Sequence, residues 1–155
     1  MSDPLHAKLI LVQGTSIASW FIKRATQSPH SHVGLVIGGL TYEMDFGGFF
    51  SRPIESYPWP HSLHEIDGMT AERTQIILRR CLLFKGARYD YGKVLGQGFE
   101  IFLAALRVRP VLDCQASLSC AEGTIAALEA AGYEFTVGQA CATPASISKE
   151  KFILP

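Results

Sequence analysis

The sequence predicts an α+β fold, a small antiparallel sheet with helices packed on it. Three observations carry that expectation. Residues 32–37 and 40–46 are alternating runs joined by Gly38-Gly39, the signal of a two-residue hairpin. Residues 8–13, Lys-Leu-Ile-Leu-Val-Gln, read as a short buried strand ended by Gly14. Residues 119–131 read as a helix with a capped start and Gly132 behind it.

The remaining elements follow in chain order. Thr15 or Ser16 caps a helix whose apolar stripe is Ile17, Trp20 and Phe21, and which ends before Ser28-Pro29. Residues 51–64 hold Pro53, Pro58 and Pro60 and read as a long irregular loop. Residues 70–85 are helical, with Ile77, Cys81 and Phe84 on one stripe, and Gly86 stops them. Residues 91–107 are expected to be helical despite Gly92, Gly96 and Gly98. The tail from Tyr133 is mixed, with Thr143-Pro144 breaking it. The 155 residues fit one domain spanning 1–155. A chain of that size buries enough surface to need no staples.

Composition narrows the function classes. Hydrophobic residues make up 48% of the chain and charged residues 18%, an ordinary globular balance. Fourteen basic residues match fourteen acidic ones, so nothing advertises nucleic acid as a partner. The start of the chain lacks a basic region followed by an apolar stretch, and no apolar run reaches membrane-spanning length. A cytoplasmic location is expected, with leaderless export or a phage-encoded protein as the alternatives. The four cysteines show no paired Cys-x-x-Cys spacing, so neither disulfides nor structural zinc are expected. His61 and His64 lie three apart in the Pro-rich stretch and read as surface-loop residues. No cofactor and no metal are expected.

In the hairpin, a two-residue turn pairs Ile37 with Leu40, Leu35 with Tyr42 and Val33 with Met44, all on one apolar face. Pleat parity then puts His32, Gly34, Val36, Thr41, Glu43 and Asp45 on the other face. Asp45 lies across from His32, and Glu43 lies on the diagonal, within reach of a long side chain. Glu43 also faces Gly34, which leaves room for it to lean toward the imidazole. A carboxylate on one ring nitrogen fixes the tautomer and leaves the other as a base. A lone strand-start histidine is more often structural; two acids on its face weigh toward chemistry.

Ser119-Cys120-Ala121-Glu122 matches a capping box, with Ser119 as N-cap and Glu122 at the third helical position. Cys120 is then the first helical residue. There the helix dipole lowers a thiol pKa, and free N–H groups stand ready for an oxyanion. The Cys120 helix is expected on the His32–Glu43 side of the sheet. A free cysteine is commonly just a buried apolar residue, which suits Cys81 and Cys141 better. Cys114 is the rival nucleophile, in a segment without a cap pattern.

At this point the chain resembles permuted NlpC-like proteins of the YiiX/YebB type. The segment LVQGTSIASWFIKRATQSPHSHVGLVIGG is similar to their opening strand, turn, helix and Ser-His-Val-Gly hairpin. TYEMD sits where that family keeps its third polar residue, which favours Glu43 over Asp45. GARYDYGKVLG, LSCAEGTIAALEAAG and ATPASI resemble its Tyr-Asp-Tyr segment, nucleophile helix and closing Thr-Pro segment. The order His, acid, Cys is that of the permuted relatives. The chain departs from the family at Ala121 and Gly123, where a hydroxyl and an apolar residue are usual.

The resemblance implies a circularly permuted papain-like fold with a barrel-like sheet, and a site of Cys120, His32 and Glu43. It implies a cysteine peptidase or amidase that cleaves peptide or peptidoglycan-like amide bonds through a thioester. The alternatives are a lipid acyl hydrolase or acyltransferase of the lecithin retinol acyltransferase type, and a non-catalytic binding domain. For the lipid alternative, Gly47, Gly48, Phe49 and Phe50 with Tyr57 and Trp59 are candidates for an apolar entrance.

Overall fold

The computed structural model describes residues 6–45, 48–86, 119–136, 138 and 142–154, with the Asp45 side chain outside that set. The expected helix over 91–107, the cysteines Cys114 and Cys141, and Gly47 lie outside the described residues.

The described chain runs β1 (Lys8–Val12), α1 (Ile17–Thr26), β2 (His32–Ile37), β3 (Leu40–Asp45), β4 (Gly48–Pro53) and β5 (His61–His64). Helices α2 (Ala71–Leu83), α3 (Cys120–Ala130) and α4 (Pro144–Ile147) follow. The strands form one antiparallel sheet in the order β4-β3-β2-β1-β5. It is open, with β4 and β5 at opposite edges, and is not the barrel-like sheet expected.

The hairpin has the register its turn dictates, Ile37↔Leu40, Val36↔Thr41 and Leu35↔Tyr42. Gly38 and Gly39 both take positive φ, 58° and 79°, as a turn matched to strand twist requires. One sheet face carries Leu9, Leu11, Val33, Leu35, Ile37 and Met44. It packs under Ile77 and Cys81 of α2 and Ile125 and Leu128 of α3, forming the main core. The other face carries Ile10, Val12 and Val36, covered by Ile54, Tyr57 and Trp59.

That cover comes from the stretch expected to be irregular. Residues 51–64 instead finish β4, make a 3-10 turn at Ile54–Ser56 and form β5. Pro53 closes β4 and Pro60 precedes β5, so proline punctuates two edge strands without interrupting either. His61 and His64 are thus edge-strand residues. Because β4 and β5 are opposite edges, the link between them must cross the sheet, about 19 Å at strand spacing. The link is seven residues long, the 3-10 turn followed by residues 57–60, so the crossing has little slack. Its middle residue, Tyr57, lands over the central strands.

The helix caps follow the sequence. Ser16, Thr70 and Ser119 each accept a backbone N–H of their own first turn. Thr143-Pro144, expected to break the tail, starts α4, with Thr143 as N-cap and Pro144 at the first helical position. Among the described residues no helix is long and apolar enough to cross a membrane.

Candidate active site

His32 begins β2, and Glu43 projects from β3 on the same sheet face. The His32 Nε2 to Glu43 Oε2 distance is 2.7 Å. Gly34 makes this possible, because a Cβ there would sit 2.9 Å from the Glu43 Cβ and 3.2 Å from the Tyr42 carbonyl oxygen. With the Nε2 proton held by the carboxylate, Nδ1 is left to exchange protons.

Glu43 has a fully buried side chain and a full set of partners. The Tyr57 hydroxyl donates to Oε2 at 2.7 Å, and the Thr41 hydroxyl donates to Oε1 at 3.0 Å. Arg52 Nε stands 3.8 Å from Oε1, its guanidinium resting over Phe50 and Trp59. Burial pushes the Glu43 carboxyl up. The hydrogen bonds from His32, Tyr57 and Thr41 outweigh that and hold it below its ordinary value.

Cys120 is the first residue of α3. Its thiol lies near enough to His32 for the two to interact electrostatically, while Glu43 holds the ring through Nε2. Burial works to lower the His32 pKa, but the Cys120 sulfur and then Glu43 raise it to about 10. His32 keeps 19% of its side chain exposed, while Cys120 is buried. The capping box is complete: Ser119 N–H donates to Glu122 Oε2 at 2.8 Å, and Glu122 N–H to Ser119 Oγ at 3.3 Å. The N–H groups of Cys120 and Ala121 are the other donors of that first turn, beside the thiol. Cys81, in the core below, is a different kind of cysteine, with its thiol pushed by burial up to about 12.

The body of α3 does not lie on the His32–Glu43 side, as expected. Its apolar residues Ile125 and Leu128 require the Leu35–Met44 face, and burial decides the side. The β2–β3 ladder runs only to Leu35↔Tyr42. Leu35, Tyr42, Glu43, Met44 and Cys120 line one small cleft, so Glu43 and the start of α3 border the same space. Phe49 and Phe84 line the same cleft. Of the aromatic residues expected at an entrance, Phe50 instead stacks on Arg52, Tyr57 holds Glu43, and Trp59 packs edge-on to Tyr57.

Three side chains around Glu43 were not expected from the sequence to be its partners. Thr41 had a signal, two residues before Glu43 on the same face. Tyr57 and Arg52 had none, because only the crossing of the sheet and the β3–β4 pairing bring them there. Asp45, the other acid of the hairpin face, pairs with Gly48 through its backbone.

The fold and constellation together define an α+β protein with an open antiparallel sheet and a thiol–imidazole–carboxylate cluster at a helix start. Among solved structures it is similar to the crystal structure of metalloprotein yiiX from Escherichia coli O157:H7, DUF1105. The TM-score is 0.51 with 19% identity, over 68% of this chain and 68% of that one. At that identity the likeness concerns the fold alone. No family model matches the chain, and no curated protein matches it. Among the described residues no group of three His, Cys, Asp or Glu side chains is placed to hold a metal ion.

Proposed function

We propose that the protein is a cysteine-nucleophile hydrolase that cleaves amide bonds, in peptides or peptidoglycan-like substrates, through a thioester. The observation that carries this reading is the His32 imidazole near the Cys120 thiol and held by the buried Glu43 carboxylate. His32 Nδ1 takes the proton from Cys120 Sγ, and the thiolate attacks the carbonyl carbon. The N–H groups of Cys120 and Ala121 stabilise the oxyanion, which forms at the positive end of α3. His32 returns the proton to the leaving amine as the C–N bond breaks. Water, deprotonated by His32, then attacks the thioester and releases the acid and the thiol. Glu43 aligns the ring and stabilises its protonated form throughout.

A second reading has its own support. Leu35, Met44, Phe49 and Phe84 beside Cys120 are apolar side chains that an entering acyl group would meet, although the space between them has room only for a water as it stands. Release assays on muropeptides and on acyl lipids, run side by side, separate the two. The decisive first test is labelling with a thiol-directed acyl probe at pH 7, followed by peptide mapping of all four cysteines. Cys120 is expected to label first and Cys81 last. An intact, accessible Cys120 that stays unlabelled points to a binding domain and removes the catalytic reading.

A further inference from the structure

Helix α1 wears its apolar stripe on the outside. Ile17, Trp20 and Phe21, at helical spacing, are 78%, 57% and 57% exposed, and α1 buries none of its residues. Trp20 and Phe21 pack edge to face at 5.0 Å, forming one continuous aromatic ridge. The inward side mixes Ala18, Ile22 and Ala25 with polar groups: Lys23 Nζ donates to the Gly14 carbonyl oxygen at 2.9 Å, and the Thr26 hydroxyl donates back to the Ile22 carbonyl. The helix has no acid and ends in Lys23 and Arg24. Arg24 follows Phe21 by three and Trp20 by four, so it continues the exposed stripe.

We propose that this face of α1 docks on the surface of an anionic lipid bilayer. An interfacial helix combines Trp and Phe on one side with basic residues that meet lipid phosphates, and Trp favours the headgroup boundary. The alternative of a second protein copy fits poorly. The three side chains expose roughly 350 Å² of apolar surface, against about 800 Å² per partner in a stable interface. A bilayer needs only a shallow apolar ridge plus charge, and both are present.

The test is co-sedimentation of the full chain with vesicles of phosphatidylcholine alone or with about 30% phosphatidylglycerol, combined with tryptophan fluorescence. The difference between wild type and Trp20→Phe isolates Trp20 from Trp59. The expected result is binding to the anionic vesicles with a blue shift of Trp20, weakened by salt. The double variant Trp20→Ser, Phe21→Ser, being a surface change, keeps the melting temperature and loses at least tenfold in vesicle affinity. Arg24→Glu weakens binding to the anionic vesicles alone. Three outcomes overturn the proposal: no binding to either vesicle, equal binding by the double variant, or a Trp20 already blue-shifted and shielded from iodide without lipid. The last means that protein, either this chain or a second copy, covers the face.

Discussion

Replacing Glu43 by glutamine keeps the shape of the side chain and removes its charge. In the wild type, Oε2 accepts from His32 and Tyr57, both at 2.7 Å, and Oε1 accepts from Thr41 at 3.0 Å. The amide oxygen of the introduced glutamine can still serve His32 and Tyr57. Its NH₂ then faces Arg52 Nε, a donor, and Thr41, which turns its proton to the Arg52 carbonyl oxygen already 3.3 Å away. A hydrogen bond to a charged partner contributes about 1 kcal/mol more than a neutral one. Only the bond to His32 supports the imidazolium, and with the carboxylate's charge gone that support falls by about 1.4 kcal/mol, roughly tenfold in rate. Turnover is therefore expected to fall about tenfold or more, short of the ~10²–10⁴ that general acid–base catalysis contributes as a whole. The assay is kcat/KM for amide or acyl release, with both proteins held equally far below their own Tm. The high-pH limb of probe acylation should also shift to lower pH, because Glu43 is part of what raises His32. An unchanged rate, or a larger loss from Asp45→Asn, refutes the assignment of Glu43 as the aligning carboxylate.

Three further outcomes are expected. In Cys120→Ala the NMR titration of His32 moves well below about 10, because the largest raising influence is gone while burial still lowers the value. An unmoved titration separates thiol from imidazole. Stability should depend on pH with two limbs. The His32 contribution is fully present below its ordinary 6.5 and lost as pH rises through about 10, while the Glu43 contribution is present above 4.5 and lost as pH falls. Urea unfolding of wild type should thus be hardest between those ordinary values, and Glu43→Gln should lack the acid limb. Gly34→Ala should destabilise by about 2 kcal/mol, since its Cβ meets the Glu43 Cβ and rigid backbone, as overpacking does. Gly123→Ala should be milder, because its Cβ meets the movable Met44 Cγ at 3.2 Å; equal effects in thermal melts contradict this.

Local chemistry was legible in the sequence. Gly38-Gly39 set the hairpin register, and the register set the shared face of His32, Gly34 and Glu43. The Ser119 capping box likewise put Cys120 at a helix start. What stayed hidden depends on contacts between distant segments. Which side of the sheet α3 takes is decided by the apolar fit of Ile125 and Leu128 against Leu35 and Met44, and a helix pattern alone leaves that choice open. The outward stripe of α1 has the same origin, because periodicity marks an apolar face without saying what meets it. Prolines 53, 58 and 60 suggested a loop, although two of them bound edge strands; that misread hid the β4–β5 crossing and, with it, Tyr57.

His32 and Glu43 lie on neighbouring strands only eleven residues apart in the chain, whereas Cys120 reaches them after about half of the sequence has intervened. The imidazole–carboxylate couple is therefore a product of early, local closure, while the sulfur arrives with the slow, long-range docking of α3. A nascent or half-assembled chain holds a thiol with no base beside it. Chemical competence then coincides with completed folding, and the rate at which Cys120 gains reactivity during refolding becomes a clock for that last step.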